Sequence, residues 1–278
     1  MVIEFKETEF KRVQTLYKLL NYHLGIGAII DGVIPGRIWV DNVENPRTAL
    51  IWDKRYSYYF LGDENTDNFN LALDRLFTEE IAPDTLNRGI KQFFLICPEN
   101  WEKKILQKEM LKDQSPMRRI KRAYYAFKQP QIVDWKAMVP PGYSIERINE
   151  KLLENTNLEN IYALIGEIED IIGSIEEFLR REFIGFCLVH ETKELVSWCI
   201  AFFHASSCEI TIQTVEKYQR RGFGTLTTAA FVEYCLSKNI SMGWHTNQDN
   251  IGSIKLAEKI GFERSNHDYS WVFGWFNK

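Results

Sequence analysis

The chain has 278 residues, 45% hydrophobic and 26% charged, with 34 basic against 38 acidic side chains and a formal net charge of −4. This is the composition of an ordered globular protein with apolar material for one large domain or two ordinary ones, and it excludes a disordered or low-complexity chain. The mild acidity argues against a general nucleic-acid binder, and no apolar run approaches the ~18 residues that a membrane span requires.

The N-terminal stretch, Met1–Arg12, is charged from Glu4 onward and lacks the apolar segment of a signal peptide, so a cytoplasmic location is expected. In the first half, a glycine-containing polar loop, Leu61–Asn65, precedes a helix-like run from Phe69 to Ile81. A strand is expected at Lys91–Cys97, a helix at Glu99–Met110 and a strand at Arg122–Phe127. Pro130, Pro140, Pro141 and Gly142 then punctuate the segment Lys128–Gly142. Proline removes an amide donor and drives its predecessor out of the helical region, so a boundary is expected near residue 138, giving lobes 1–138 and 139–278.

The second half reads as a strand at Tyr143–Ile148, helical segments within Leu152–Glu182 broken near Gly173-Ser174, and a strand at Gly185–His190. Strands at Leu195–Ala205 and Glu209–Val215 lead to a glycine loop, then a helix at Thr225–Lys238 and a strand at Ile240–Thr246. A helix at Asn250–Lys259 ends at Gly261, and His267–Phe276 is the last strand. Loop, helix, strand, helix and strand thus occur in the same order in both halves, which points to two related α/β lobes.

Gln219-Arg220-Arg221-Gly222-Phe223-Gly224 carries the chemistry. It joins a strand to a helix, and the first amides of a helix have no internal partner and lie at the positive end of its dipole. Glycines let that backbone approach a phosphate, and Arg220 and Arg221 can pair with a diphosphate. The corresponding loop of the first half carries Asp63, Glu64 and Asp67, which would repel a phosphate, so one cofactor site is expected, in the second lobe. The five cysteines (Cys97, Cys187, Cys199, Cys208, Cys235) form no C-x-x-C pair and read as reduced, buried thiols. The five histidines show no metal-ligand spacing, so no metal is expected. Ser206-Ser207 lacks a nucleophile elbow, so a serine hydrolase is not supported.

Residues 143 to 276 resemble the GNAT superfamily of acyl-CoA N-acyltransferases. Gln219, Gly222 and Gly224 occupy the fixed positions of that family's Q/R-x-x-G-x-G/A motif. Asn250-x-x-Ser253, followed by Leu256-Ala257 and Gly261-Phe262, matches its second signature, N-x-x-A/S leading to G-F. The wording of both stretches is similar to the branch that contains the zwittermicin-resistance acetyltransferases. The resemblance implies a mixed-sheet α/β fold, with a GNAT-like C-terminal domain after a degenerate, catalytically silent N-terminal lobe.

It also implies an N-acetyltransferase that moves an acetyl group from acetyl-CoA to a primary amine of a small molecule. Acetyl-CoA would lie where the strands Glu209–Val215 and Ile240–Thr246 splay apart. The main chain of Thr214 and Val215 would meet pantetheine, Gln219 would open the diphosphate loop, and the amides of Arg220, Arg221, Gly222, Phe223, Gly224 and Thr225 would hold the diphosphate. Asn250 and Ser253 would reach the cofactor from the far side, although an asparagine there also reads as a helix cap. Glu209 matches the strand position of the glutamate base in some of the superfamily's histone acetyltransferases. Burial beside an apolar floor such as Phe202 would raise its pKa toward that of a useful base. Alternation puts Glu209, Thr211 and Gln213 on one strand face. The family's usual acid, a tyrosine, falls at Ala257, which leaves Tyr218, Tyr269 and His245 as conceivable replacements. An acyl-CoA-binding or regulatory protein without turnover, and an aminoacyl or fatty-acyl transferase with tandem lobes, stand beside the acetyltransferase reading. The sequence carries no signal for oligomeric state.

Overall fold

The structure is a computed structural model that describes residues 2–107, 110–111 and 116–276. In chain order its elements are β1 (Ile3–Glu4), α1 (Leu24–Ile30), β2 (Arg37–Val40), β3 (Thr48–Trp52), β4 (Ser57–Gly62), α2 (Asp67–Leu76), α3 (Ala82–Asn87), β5 (Gln92–Ile96), α4 (Glu99–Leu106) and β6 (Arg118–Phe127). There follow β7 (Tyr143–Arg147), α5 (Glu150–Leu153), α6 (Ile161–Ile172), α7 (Ile175–Arg180), β8 (Gly185–His190), β9 (Glu194–His204), β10 (Ser207–Thr214), α8 (Phe223–Ser237), β11 (Ser241–Asn247), α9 (Ile251–Ile260) and β12 (Phe262–Trp275).

The chain forms two compact units, Met1–Arg122 with Tyr269–Lys278, and Ala123–Asp268. It passes from the first to the second within β6 and returns within β12. The proline-rich stretch around residue 138 therefore lies inside the second unit and not at its edge. Its backbone is tied there: the Lys128 amide donates to Gly261 (3.0 Å) and the Gln131 amide to Ile260 (3.1 Å). Trp135 and Lys136 both donate to the Glu233 carboxylate, at 2.9 Å each. Proline restricts backbone geometry, but it does not stop the flanking amides from being claimed by neighbouring strands and turns.

In the first unit, β1 to β4 pair antiparallel in succession, and β4 pairs parallel with β5 over Ser57↔Phe94, Tyr58↔Leu95 and Tyr59↔Ile96. The end of β12 adds antiparallel to β5, Trp271 against Ile96 through Trp275 against Gln92. One face buries Trp39, Trp52, Tyr58, Phe60 and Trp101; the other buries Ile38, Ile51, Tyr59 and the apolar side of α1. Every residue of β3 is buried, so it shows no alternation, which is why its sequence carries little strand signal. The expected helix at Phe69–Ile81 starts two residues earlier, and its last turn, Phe77–Ile81, is a wider π-type turn leading into α3.

In the second unit, β7, β8, β9 and β10 are antiparallel neighbours, and β10 is parallel to β11. The break expected near Gly173-Ser174 is a cap pair: Gly173 ends α6 at φ +112°, and the Ser174 hydroxyl accepts the Glu177 amide at 3.1 Å to start α7. Cys199, Cys208, Ile210, Phe231, Cys235, Trp244 and Ile260 form the core on the α8–α9 side of the sheet. All five cysteines are buried as free thiols. Among the described residues no helix is long and apolar enough to cross a membrane.

Candidate functional site

Along its β9 edge, β10 is paired throughout, from Ser207↔His204 to Thr214↔Ser197. Along its β11 edge the register runs only from Ser207↔Ser241 to Glu209↔Gly243. Among the described residues no pairing continues past that point, although β10 goes on to Thr214 and β11 to Asn247. The two strands form a fork, and beyond Glu209 the inner edge of β10 carries main-chain groups without a strand partner among the described residues. The Val215 amide donates to Val196 (3.0 Å), so it belongs to the β9 side. Alternation then turns the main chain of Ile212 and Thr214 into the fork. The Thr214 carbonyl there accepts Gln219 Nε2 at 3.2 Å, a contact with an exposed and displaceable side chain.

The loop beyond β10 keeps its donors open. Arg220 (φ +62°) and Gly222 (φ +84°) both sit in the left-handed region, and Gly222 stands at the N-cap of α8. The first bond of the helix is Leu226 to the Gly222 carbonyl, 3.2 Å, and among the described residues nothing accepts from the amides of Phe223, Gly224 or Thr225. A Cβ built on Gly222 would meet nothing within 4 Å. One built on Gly224 would stand 3.1 Å from Thr214 Oγ1 and 3.4 Å from Leu256, so here the glycine lets α8 close on β10 and α9. Behind the loop, Ser197 Oγ lies 2.8 Å from Thr214 Oγ1 and 3.2 Å from Thr227 Oγ1, a hydroxyl cluster that fixes β9, β10 and α8 together. The geometry is that of an anion cradle at a helix N-terminus. The side chains of Arg220 and Arg221 are exposed, with Arg221 5.4 Å above the Tyr218 ring.

Asn250 and Ser253 are engaged locally. Asn250 caps α9 by accepting the Ser253 amide (3.1 Å), and the Ser253 hydroxyl accepts Trp244 Nε1 (2.9 Å). Ala257, at the position expected for an acid, is fully buried. Tyr218 is also committed: its hydroxyl donates to Glu194 at 2.6 Å, and Lys217 stands 2.5 Å from the same carboxylate. Burial pushes the Glu194 carboxyl up, but the bonds from Lys217 and Tyr218 outweigh it and leave the group below its ordinary value. The bond to Glu194 in turn raises the Tyr218 phenol.

Glu209 closes the fork. It is the last β10 residue paired with β11, and the antiparallel register of β10 with β9 sets Phe202 opposite it. Its side chain is 25% exposed, and His245 Nε2 lies 3.3 Å from its Oε1. Tyr124, on β6, joins this end of the fork: its ring centroid is 4.7 Å from that of His245, and its hydroxyl would be 2.9 Å from a Cβ on Gly243. Sequence reading placed Tyr124 on a strand but gave it no role. Its only signal is long-range, the absence of a side chain at Gly243, which makes room for the ring.

This arrangement of fork and open loop can be set against known proteins. The chain matches the family described as GNAT acetyltransferase over residues 15–271. It belongs to the GNAT acetyltransferase family. A curated relative, the uncharacterized N-acetyltransferase YdfB of Bacillus subtilis (strain 168), is 24% identical over 261 residues, 94% of each chain. A GCN5-related N-acetyltransferase-like protein from Streptococcus suis 89/1591 superposes with a TM-score of 0.67 at 21% identity, covering 96% of this chain and 98% of that one. A tandem GNAT protein from the clavulanic acid biosynthesis pathway gives 0.61 at 13% identity over 100% and 98%. At these identities the structural likenesses show the fold, a mixed α/β GNAT arrangement over the whole chain. The family match extends well upstream of residue 143, so the GNAT relationship includes the first half.

Proposed function

We propose that the protein is an acetyl-CoA-dependent N-acetyltransferase acting in the cytoplasm on a primary amine of a small molecule. The observation that carries this reading is the fork: β10 and β11 part directly after Glu209 and Gly243, and β10 leads from there to a loop of unclaimed amides. The pantetheine arm of acetyl-CoA fits an edge that needs main-chain partners, along Ile212 and Thr214. Its diphosphate fits the amides of Arg221 to Thr225, with Arg220 and Arg221 adding charge from the rim. Gln219 would release the Thr214 carbonyl as the arm enters, while Asn250 and Ser253 hold the start of α9 in place.

In this reading the thioester carbonyl lies near the closed end of the fork, beside Glu209. An alkylammonium must lose a proton before its nitrogen can attack, and the half-buried Glu209 carboxylate is the acceptor. The amine attacks the carbonyl carbon, the carbon–sulfur bond breaks, and CoA leaves as a thiol. Positioning by the fork contributes a large part of the acceleration. The test is calorimetric titration with acetyl-CoA, followed by thiol release with a panel of primary amines. Binding of one acetyl-CoA per chain with amine-dependent thiol release supports the reading. Binding without release for any amine would favour an acyl-CoA-binding protein without turnover.

A further inference from the structure

Glu194 opens β9 and is only 5% exposed. A carboxylate so placed is costly unless donors surround it. Its donors come from the turn that precedes the phosphate loop: the Tyr218 hydroxyl at 2.6 Å and the Lys217 ammonium at 2.5 Å. Glu194 itself is held from the other side. It pairs with His190 across the β8–β9 hairpin, the neighbouring Leu195 amide donates to the Glu159 carbonyl (3.0 Å), and Asn160 Nδ2 donates to the Leu195 carbonyl (3.0 Å). The loop has few ties of its own. The Tyr218 amide donates to Val215 (2.8 Å) and the Gln219 amide to Glu216 (3.1 Å), and among the described residues the next backbone amide to donate is that of Leu226. Between them Arg220 is left-handed at φ +62°, a conformation an arginine keeps only when the chain on either side dictates it. Tyr218 carries the anchor into this stretch. Its ring lies 6.0 Å from that of Phe223, the first residue of α8, and Arg221 Cζ stands 5.4 Å above it. Phe223 is in turn seated on the small core of Leu188, Val196 and Leu226.

We propose that Glu194 is a positioning residue of the donor site. It fixes Tyr218, and through that ring it sets Arg221 and the amides of residues 221–225 in place for the diphosphate before the donor arrives. The inference rests on the acetyl-CoA reading of the loop. Glu194 acts through Tyr218 and not on the donor itself. A hydrogen bond to an ionised acceptor is short and directional, so one phenol hydroxyl is enough to hold the ring. Lys217 has a separate part. It is the counter-ion of a fixed negative charge that would otherwise oppose an incoming phosphate, which leaves Arg220 and Arg221 as the cations of the rim. A loop ordered during folding loses less freedom when the donor binds, and that difference appears as affinity.

The experiment uses the full chain and two ligands: acetyl-CoA, and S-acetylpantetheine, which keeps the thioester and lacks the diphosphate and nucleotide. Acetyl-CoA affinity is read by calorimetry, and S-acetylpantetheine affinity by its displacement of acetyl-CoA. Wild type is compared with Tyr218→Phe, which removes the hydroxyl and keeps the ring beneath Arg221, with Glu194→Ala, and with the two combined. In Tyr218→Phe, acetyl-CoA should bind about fivefold more weakly and S-acetylpantetheine less than about twofold more weakly. Adding Tyr218→Phe to Glu194→Ala should weaken acetyl-CoA binding no further, because the two residues act as one unit. Wild-type acetyl-CoA affinity in Tyr218→Phe overturns the assignment. So does an equal loss for both ligands, which describes a general loosening of the fold, or full additivity in the double variant. If Glu194→Ala does not fold, the two affinities of Tyr218→Phe decide alone, since Glu194 is the acceptor of that hydroxyl. A wild-type protein that binds acetyl-CoA no more tightly than S-acetylpantetheine would instead strike the diphosphate reading of the loop, and this is seen before any variant is made.

Discussion

The two units contain the same turn of chain, treated in opposite ways. In each, a strand pairs parallel with the next over three register pairs, Ser57 to Tyr59 with Phe94 to Ile96, and Ser207 to Glu209 with Ser241 to Gly243. In each, the first strand then runs on toward a loop and a helix. In the first unit β5 stops at Ile96, and α4 sends the fully buried Trp101 indole to donate to the Gly62 carbonyl at 3.0 Å. The loop is closed as well. Asp63 accepts the Asn65 amide (2.9 Å) and pairs with Arg47 (2.5 Å), while the Glu64 carbonyl takes Asn70 and Lys104. A Cβ on Gly62 would collide with the Arg47 carbonyl, so nothing larger than glycine fits that turn. In the second unit β11 continues to Asn247, the amides at the head of α8 have no acceptor among the described residues, and the space over Gly222 is open. One fork satisfies its polar groups with its own side chains and becomes core. The other leaves them for a ligand, because buried or half-buried amides must find an acceptor somewhere.

The largest effect is expected from breaking the filled fork. Trp101→Ala should cost about 3–5 kcal/mol of stability, read by chemical denaturation, and should not create a second acetyl-CoA site, because Asp63 still closes the loop. A stoichiometry of two in calorimetry would mean that the indole alone separates the forks. At the open fork, Glu209→Gln should lower turnover by about a hundredfold at neutral pH while acetyl-CoA affinity holds. Wild-type rates would remove Glu209 from the mechanism. Gly222→Val should weaken acetyl-CoA binding by about tenfold or more, since a branched residue resists φ +84° and its methyls would enter the cradle. Unchanged affinity in calorimetry would place the phosphates elsewhere.

Smaller effects come from exposed charge. Arg220→Ala and Arg221→Ala should each weaken binding by about two- to threefold at low salt and less at high salt, because both side chains are screened by solvent. An equal loss at all ionic strengths would point to a shielded contact instead. In the closed loop, the Asn65 amide and then the Arg47 guanidinium hold the Asp63 carboxyl below its ordinary value. A carboxylate depressed in the folded state stabilises above its unfolded pKa, and that contribution disappears as pH falls through the folded pKa. Asp63→Asn should therefore lower the Tm by about 1–2 °C at pH 7 and by less in acid, the effect of one half-exposed ion pair. A difference that stays constant with pH would mean the carboxylate charge plays no part in closing the turn.

How much of this was legible follows from the range of each interaction. Gln219 to Thr225 could be read as a cradle because strand, glycine turn and helix start are local: helix amides lack partners wherever a helix begins. Glu209 could be placed on one strand face with Thr211 and Gln213 by counting alternate residues, and Asn250 as a cap from its position before an apolar helix. The strands of residues 37–62 escaped because burial on both faces erases alternation, and the prolines near residue 138 marked a turn inside a unit and not its edge.

The sequence by itself determined which helix head would offer bare amides and which loop would carry acid in place of arginine, because composition and local backbone conformation settle both. Tertiary structure alone decided where β10 and β11 stop pairing, that Trp101 fills the first fork, and that Tyr124 stands over Gly243. Those outcomes depend on register between distant segments, and a register fixes which side chains share a face only once the strands are side by side.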